Sequence, residues 1–481
     1  MEVPEHWREF GPKIESSCNS GNSRFALLME EPSAPRGVAD LPRLSAAVAR
    51  DTSRGAFRLS RRCLSTKSPR DVCIVAAART PIGGFGGSLA SVPAARLGAT
   101  AITGVLKRVS LHRRRRPHTC LIHHNPHVAP QAGVPASVVE QCWMGNVLTA
   151  GTGQAPARQA ARAAELPDSV ICTTVNKVCS SGMKAIVLGA QQIQLGIADV
   201  VVAGGMESMS NVPYLIPKAR FGARMGDAKM VDAMVSDGLW DPYGDCHMGG
   251  YAELCAETHA IDRETQDAHA DESYRRTRAA QAEGRFAEEV EPVTVPGRKG
   301  DVEVAADEEP QSAPRPAASA RAAFKKDGTV TASNASTISD GAAAVLLMSR
   351  AAAERHGCAV LATVRGYGDA EQEPAWFTTA PSAALPKAAA HAGVALAEVD
   401  YFEINEAFSV VSLANNKLLG LDDAKVNVNG GAVSMGHPIG CSGARIVVTL
   451  LSVLKQNGAR LGAAGICNGG GGASAIVIEA A

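Results

Sequence analysis

One stretch of this chain is written twice. Cys179-Ser180-Ser181-Gly182-Met183-Lys184-Ala185-Ile186 resembles Cys441-Ser442-Gly443-Ala444-Arg445-Ile446, and in each copy an apolar helix-like stretch and then a small-residue run follow. Gly182 to Gly204 and Gly443 to Gly465 are both 22 residues apart. Two equivalent strand–turn–helix–strand units are the natural explanation, and hence two similar halves; chance likeness among small residues is the alternative. The runs Val200-Val201-Val202-Ala203, Val345-Leu346-Leu347-Met348 and Ile476-Val477-Ile478 alternate with helical stretches, which predicts an α/β fold with largely buried strands. Apolar residues make up 46% of the chain and aromatics only 4%, so that core is built from Ala, Val, Leu and Ile.

Charge and cysteine usage narrow the function classes. Lys and Arg number 48 against 48 Asp and Glu, which argues against a dedicated nucleic-acid binder. The longest strongly apolar run, Ile446 to Leu454, is nine residues, well short of the roughly 20 that cross a bilayer, so no membrane partner is expected. Twelve cysteines with no Cys-x-x-Cys read as reduced thiols rather than a disulfide scaffold or metal site.

The body is expected to begin at Val72-Cys73-Ile74-Val75, a buried first strand, with a helix over 96–108. Residues 1–71 form an extension, Arg- and Ser-rich from Arg50 to Lys67 as in an organellar transit peptide; a mitochondrial location is expected, with the cytoplasm as the alternative. Residues 109–131, holding Arg113 to Arg116, five histidines and no acid, read as a surface insertion, and 297–323 as a linker or mobile loop.

Four elements carry chemistry. Cys179 sits where a strand ends and a helix starts, a position whose free N–H groups favour a thiolate and a lowered pKa; the alternative is a cysteine packed in a tight turn. His437, in Gly436-His437-Pro438-Ile439-Gly440, is either a positioned base or a side chain bonding its own turn. Cys467 precedes Asn468 and four glycines, whose backbone amides can approach a ligand oxygen as an oxyanion hole requires, or form a flexible turn. Asn405, in an apolar setting with Phe402, Ile404 and Val410, either orients a water or carbonyl or caps a helix. Together they supply a nucleophile, a base and an acid, and acyl chemistry is their obvious use.

The runs Asn176 to Ala185, Gly204 to Ser210, Asn405 to Phe408, Asn429 to Gly443 and Cys467 to Gly472 resemble the thiolase family over about 72–108 and 132–481. The resemblance implies a layered α/β fold of two similar halves, 72–208 and 353–481, with an inserted loop domain over 209–338 and a return to the first half over 339–352. It implies a two-step acetyl transfer. Cys179 takes acetyl from acetyl-CoA, His437 activates it, and Cys467 removes a methyl proton from a second acetyl-CoA to give acetoacetyl-CoA. Asn405, through a water, and His437 would form one oxyanion hole; the N–H groups of Cys179 and Gly469 would form the other. His247-Met248-Gly249 matches short-chain members. By the same resemblance His247, Met248, Ser336, Phe408 and Arg315 would contact the CoA thioester, and no cofactor is required. Some relatives bind potassium at positions matching Tyr274, Ala332, Ser333, Ala335 and Val433, and a homotetramer is implied. A β-ketoacyl-carrier-protein synthase, which pairs its cysteine with two histidines, and a silent CoA-binding protein are the competing readings.

Overall fold

The computed structural model describes residues 67–114, 134–311 and 319–481; nearly all of the expected extension, most of 109–131, and Arg315 lie outside the described residues. In the first half, β1 (Val72–Arg79) is followed by α1 (Ala94–Arg114), β2 (Gln141–Gly145), α2 (Pro156–Ala163), β3 (Ile171–Val175), α3 (Ser181–Gln194) and β4 (Val200–Ser208). A loop region containing α4 (Met248–Thr258) and α5 (Arg263–Ala282) intervenes before β5 (Ser339–Ser349) and α6 (Arg350–Arg355). The second half comprises β6 (Ala362–Glu371), α7 (Pro381–Ala392), β7 (Tyr401–Ile404), α8 (Ser409–Leu419), α9 (Ala432–Met435), α10 (Ile439–Gln456), β8 (Leu461–Asn468) and β9 (Gly472–Ala480).

The strands run in the order β7-β8-β9-β6-β1-β5-β4-β2-β3, with the short strand Gly83–Gly84 beside β5. Within it β2-β4-β5-β1 and β7-β8-β9-β6 repeat one pattern: a parallel pair first, then antiparallel neighbours. The duplicated motif is therefore a duplicated architecture. Between β4 and β5, which are antiparallel neighbours, lies the whole loop region; the equivalent β8 and β9 are joined by nothing more than the turn Gly469–Gly471.

Alternation places Cys73 and Val75 of β1 in one apolar cluster and Val72 and Ile74 in another. Helices α1 and α2 cover the outside of the first half and α7 the outside of the second, while α3 and α10 pack between the halves. That central position explains α10. By length and composition it matches a bilayer span, which the nine-residue run Ile446 to Leu454 does not convey, yet Ile446, Val447, Leu450 and Leu454 are buried in the central cluster.

Helix α1 corrects one expected boundary. It runs past 108 to Arg114, because Leu97, Ala101, Val105 and Val109 recur every four residues and all are buried. The expected start of the insertion at 109 therefore falls inside this helix.

Candidate active site

Between β3 and α3 the chain makes a turn tied by its own side chains. Asn176 Oδ1 accepts the Val178 N–H at 2.9 Å, Ser181 Oγ accepts the Lys177 N–H at 2.9 Å, and the Ser181 hydroxyl donates to the Val178 carbonyl at 2.5 Å. These bonds hold Val178 at φ 46°, a left-handed conformation that costs a β-branched residue about 1–3 kcal/mol. Cys179 comes next, so the strained residue aims the candidate nucleophile. The turn is anchored from the other half: Asn468 Oδ1 lies 2.9 Å from both Lys177 Nζ and Ser180 Oγ.

The two central helices meet where side chains are missing. A Cβ on Gly205 would overlap the Gly440 carbonyl oxygen, and one on Gly182 would stand 2.8 Å from Ala444 N. The starts of α3 and α10 therefore dock backbone to backbone. Their preceding turns, one carrying Cys179 and the other His437, open onto a single cavity of about 890 Å³ with Gly469 in its wall.

Protonation in this cavity differs from the sequence expectation. Burial pushes the Cys179 thiol up to about 11, against the opposing pull of the Gly469 and Cys179 N–H groups. Desolvation of the sulfur outweighs the helix start, and the expected depressed pKa is corrected: Cys179 rests as a thiol. Burial, reinforced by the Arg445 charge, pushes His437 down to about 3, so its imidazole rests neutral. The Ser442 hydroxyl donates to the Pro438 carbonyl at 3.0 Å, so at 2.6 Å it accepts from His437 Nδ1–H. The lone pair is thereby left on Nε2, which is buried without a partner among the described residues. A thiol that shares a cavity with a neutral imidazole whose free nitrogen is unengaged has a base available to take its proton as the sulfur attacks.

Cys467 ends β8 and is fully buried in a cluster with Met248, Phe408 and Val410 rather than on the cavity wall. Burial holds its thiol well above the ordinary cysteine value, and a thiolate at the neighbouring Cys179 would raise it further. Asn405 lies just beyond β7, its N–H bonded to the Gly465 carbonyl at 3.0 Å, two residues before Cys467 on the adjoining strand. It too is off the wall, and both polar atoms of its fully buried amide lack partners among the described residues, an arrangement a native protein keeps where a water or ligand completes it.

The remaining wall is aromatic. His247 Nδ1 accepts the Gly249 N–H at 3.1 Å and caps α4, and His247 stacks on Phe324 at 4.7 Å. Phe324 in turn meets Phe408 edge-on at 6.1 Å. Met248 and Ser336 also line the cavity, the Ser336 hydroxyl donating to the Ala407 carbonyl at 2.8 Å. Phe324 escaped the sequence reading because it follows a Pro/Ala-rich stretch with no motif; Arg275 and Arg278, also on the wall, sit on a polar helix that gave no signal. Ser442, by contrast, lay within the repeated motif. Tyr274, Ala332, Ser333 and Ala335 border the same cavity, but Val433 is buried off it, its N–H bonded to Glu406 at 3.1 Å.

Comparison with known proteins matches the chain to two family profiles, "Thiolase, N-terminal domain" over residues 72–120 and 124–351 and "Thiolase, C-terminal domain" over 358–480. Acetyl-CoA acetyltransferase 2 of Arabidopsis thaliana is 56% identical, with 86% of this chain and 98% of that protein covered. Acetyl-CoA acetyltransferase of Schizosaccharomyces pombe is 53% identical over 85% of this chain and 98% of its own. The crystal structure of the Bacillus anthracis acetyl-CoA acetyltransferase aligns with a TM-score of 0.79 at 38% identity, covering 85% of this chain and 99% of that one.

Proposed function

The chain belongs to the thiolase family, and from that premise we propose that it is an acetyl-CoA C-acetyltransferase, condensing two acetyl-CoA to acetoacetyl-CoA and CoA and catalysing the reverse thiolysis. Cys179 is the nucleophile. As its sulfur attacks the thioester carbonyl, His437 Nε2 takes the thiol proton, the carbonyl oxygen gathers charge against the N–H groups of Cys179 and Gly469, and CoA leaves carrying that proton. Cys467, having given its own proton to solvent, then removes a proton from the methyl group of the second acetyl-CoA as its thiolate, and that proton passes to the Cys179 sulfur when the acetyl group leaves it. The enolate oxygen rests on a water held by Asn405 and on His437, and its carbon attacks the acetyl-cysteine to release acetoacetyl-CoA. The observation that carries the reading is the pairing, on one cavity, of the half-buried Cys179 thiol with an imidazole whose tautomer leaves Nε2 free.

The stack of His247 on Phe324, with Met248 beside it, supports a short acyl group. Thiolysis assayed across 3-oxoacyl-CoA lengths should show kcat/KM falling at least about tenfold from four carbons to eight. A flat profile would overturn the substrate assignment.

Potassium is supported by the Ser333 hydroxyl, buried beside Tyr274 with no partner among the described residues. The ion would be held by Tyr274, Ala332, Ser333 and Ala335, which border the cavity, and would stiffen its wall; Val433, buried off that wall, is not among them. Replacing Na⁺ by K⁺ at constant ionic strength should raise the melting temperature; equal values would remove the site. The assembly is a homotetramer, to be read from its mass in light scattering. The extension directs the chain to the mitochondrion for lipid metabolism, and a fluorescent fusion of residues 1–71 that stays cytoplasmic would contradict this.

A further inference from the structure

Glu207 is buried at the end of β4 and no basic side chain pairs with it among the described residues. Its carboxylate instead accepts four N–H bonds from two segments. Asn146 Nδ2 donates to Oε1 at 2.6 Å and Leu148 N at 3.3 Å; Val147 N donates to Oε2 at 3.0 Å and Gly440 N at 2.9 Å. Gly440 lies in the first turn of α10, three residues after His437. Val147 and Leu148 pack with Ile439 in the cluster that Cys179 also touches. One carboxylate thus joins the start of the histidine's helix to the loop beside the nucleophile.

The duplication gives this contact a counterpart. Glu207 stands three residues after Gly204, and Asn468 three after Gly465, so the two occupy equivalent places in the halves. Asn468 grips Ser180 and Lys177 at the start of α3; Glu207 grips Gly440 at the start of α10. Each half clamps the helix start of the other.

We propose that Glu207 is a positioning residue for acyl transfer, holding His437 in register with Cys179 through its four-fold clamp. This rests on the acetyltransferase reading above. Only the ionised carboxylate accepts all four donors as they stand, because a protonated Oε1 would have to turn the Asn146 amide so that its unpartnered Oδ1 replaces the donating Nδ2. Burial pushes Glu207 up to about 7. The titratable groups around it are Cys179, pushed up to about 11, Cys441, pushed up to about 12, and His437, pushed down to about 3, so none of them changes charge near neutrality. As pH falls through 7, Glu207 gains a proton, the clamp loosens and acylation slows.

The test compares full-length parent, Glu207→Gln and Glu207→Asp. It follows the rate of acetyl-adduct formation on the Cys179 peptide from about pH 5.5 to 8.5, with kcat, KM and melting temperature. Glu207→Gln presents an NH₂ group to donors, so kcat should fall about 100-fold, the cost of a sub-ångström to 1 Å misplacement. KM should stay within about twofold and the acid limb near neutrality should vanish. Glu207→Asp should recover part of kcat at the alkaline end, where Glu207→Gln does not. The proposal is overturned if Glu207→Gln keeps kcat within about threefold, keeps the limb, or loses activity only in proportion to folded protein. A parent that forms no adduct at any pH would instead overturn the acyl-transfer reading itself.

Discussion

The Cys467→Ala protein should take up acetyl from acetyl-CoA at the parent's rate and then stop. Acylation needs the Cys179 sulfur, the free nitrogen of His437 and the N–H groups of Cys179 and Gly469, none of which involves the Cys467 side chain. The next step differs, because a thioester methyl group is a weak carbon acid and surrenders its proton only to a base held against it. Cys467 is buried and its thiol is raised well above the ordinary value, so once deprotonated it is a strong base. General-base contributions span about 10²–10⁴, and condensation should fall by at least about 10³. Cys467→Ala enlarges a buried site only slightly, so the fold should persist and the acetyl adduct serves as its own control. Condensation at the parent rate would show that another group takes the methyl proton.

His437→Asn should fail one step earlier. With Cys179 raised to about 11, the thiolate fraction at pH 7 without a base is about 10⁻⁴. Acylation should drop by about 10³–10⁴ and then climb about tenfold per pH unit above neutrality, as hydroxide does what the imidazole did. In the parent no such climb is expected, since His437, pushed down to about 3, stays neutral and available throughout that range. Stopped-flow acylation of both proteins across the alkaline range reads the two slopes. A variant within tenfold of the parent at pH 7, or with a flat profile, would remove His437 from the base role.

Much of this was legible in the chain itself, for a definite reason. The repeated Cys-Ser-(Ser)-Gly motif recurs because two helix starts must dock with no side chain between them, at Gly182 against Ala444 and at Gly443 against Met183; a steric demand that severe leaves a mark in the sequence. Cys179, His437 and Gly469 stood beside those glycines and do share a cavity. The charge state of Cys179 was not legible, since the opposing effects of helix start and desolvation differ in sign and only the depth of burial decides between them. Phe324 was missed because its partner His247 is far away in the chain and its space comes from Gly249, whose Cβ would collide with its ring. Glu207 was visible as part of a motif, but its work is done on Gly440, more than two hundred residues away, and nothing local announces that contact. The boundary at 109 failed because the basic run that follows obscured Val109, a buried residue of α1.

The account stands on a covalent acetyl group at one sulfur. Parent protein mixed with acetyl-CoA, quenched and digested, should yield the peptide containing Cys179 heavier by one acetyl group at close to one equivalent per chain, with the Cys467 peptide unchanged. An unmodified Cys179 peptide, or acetyl found on Cys467 instead, would contradict it.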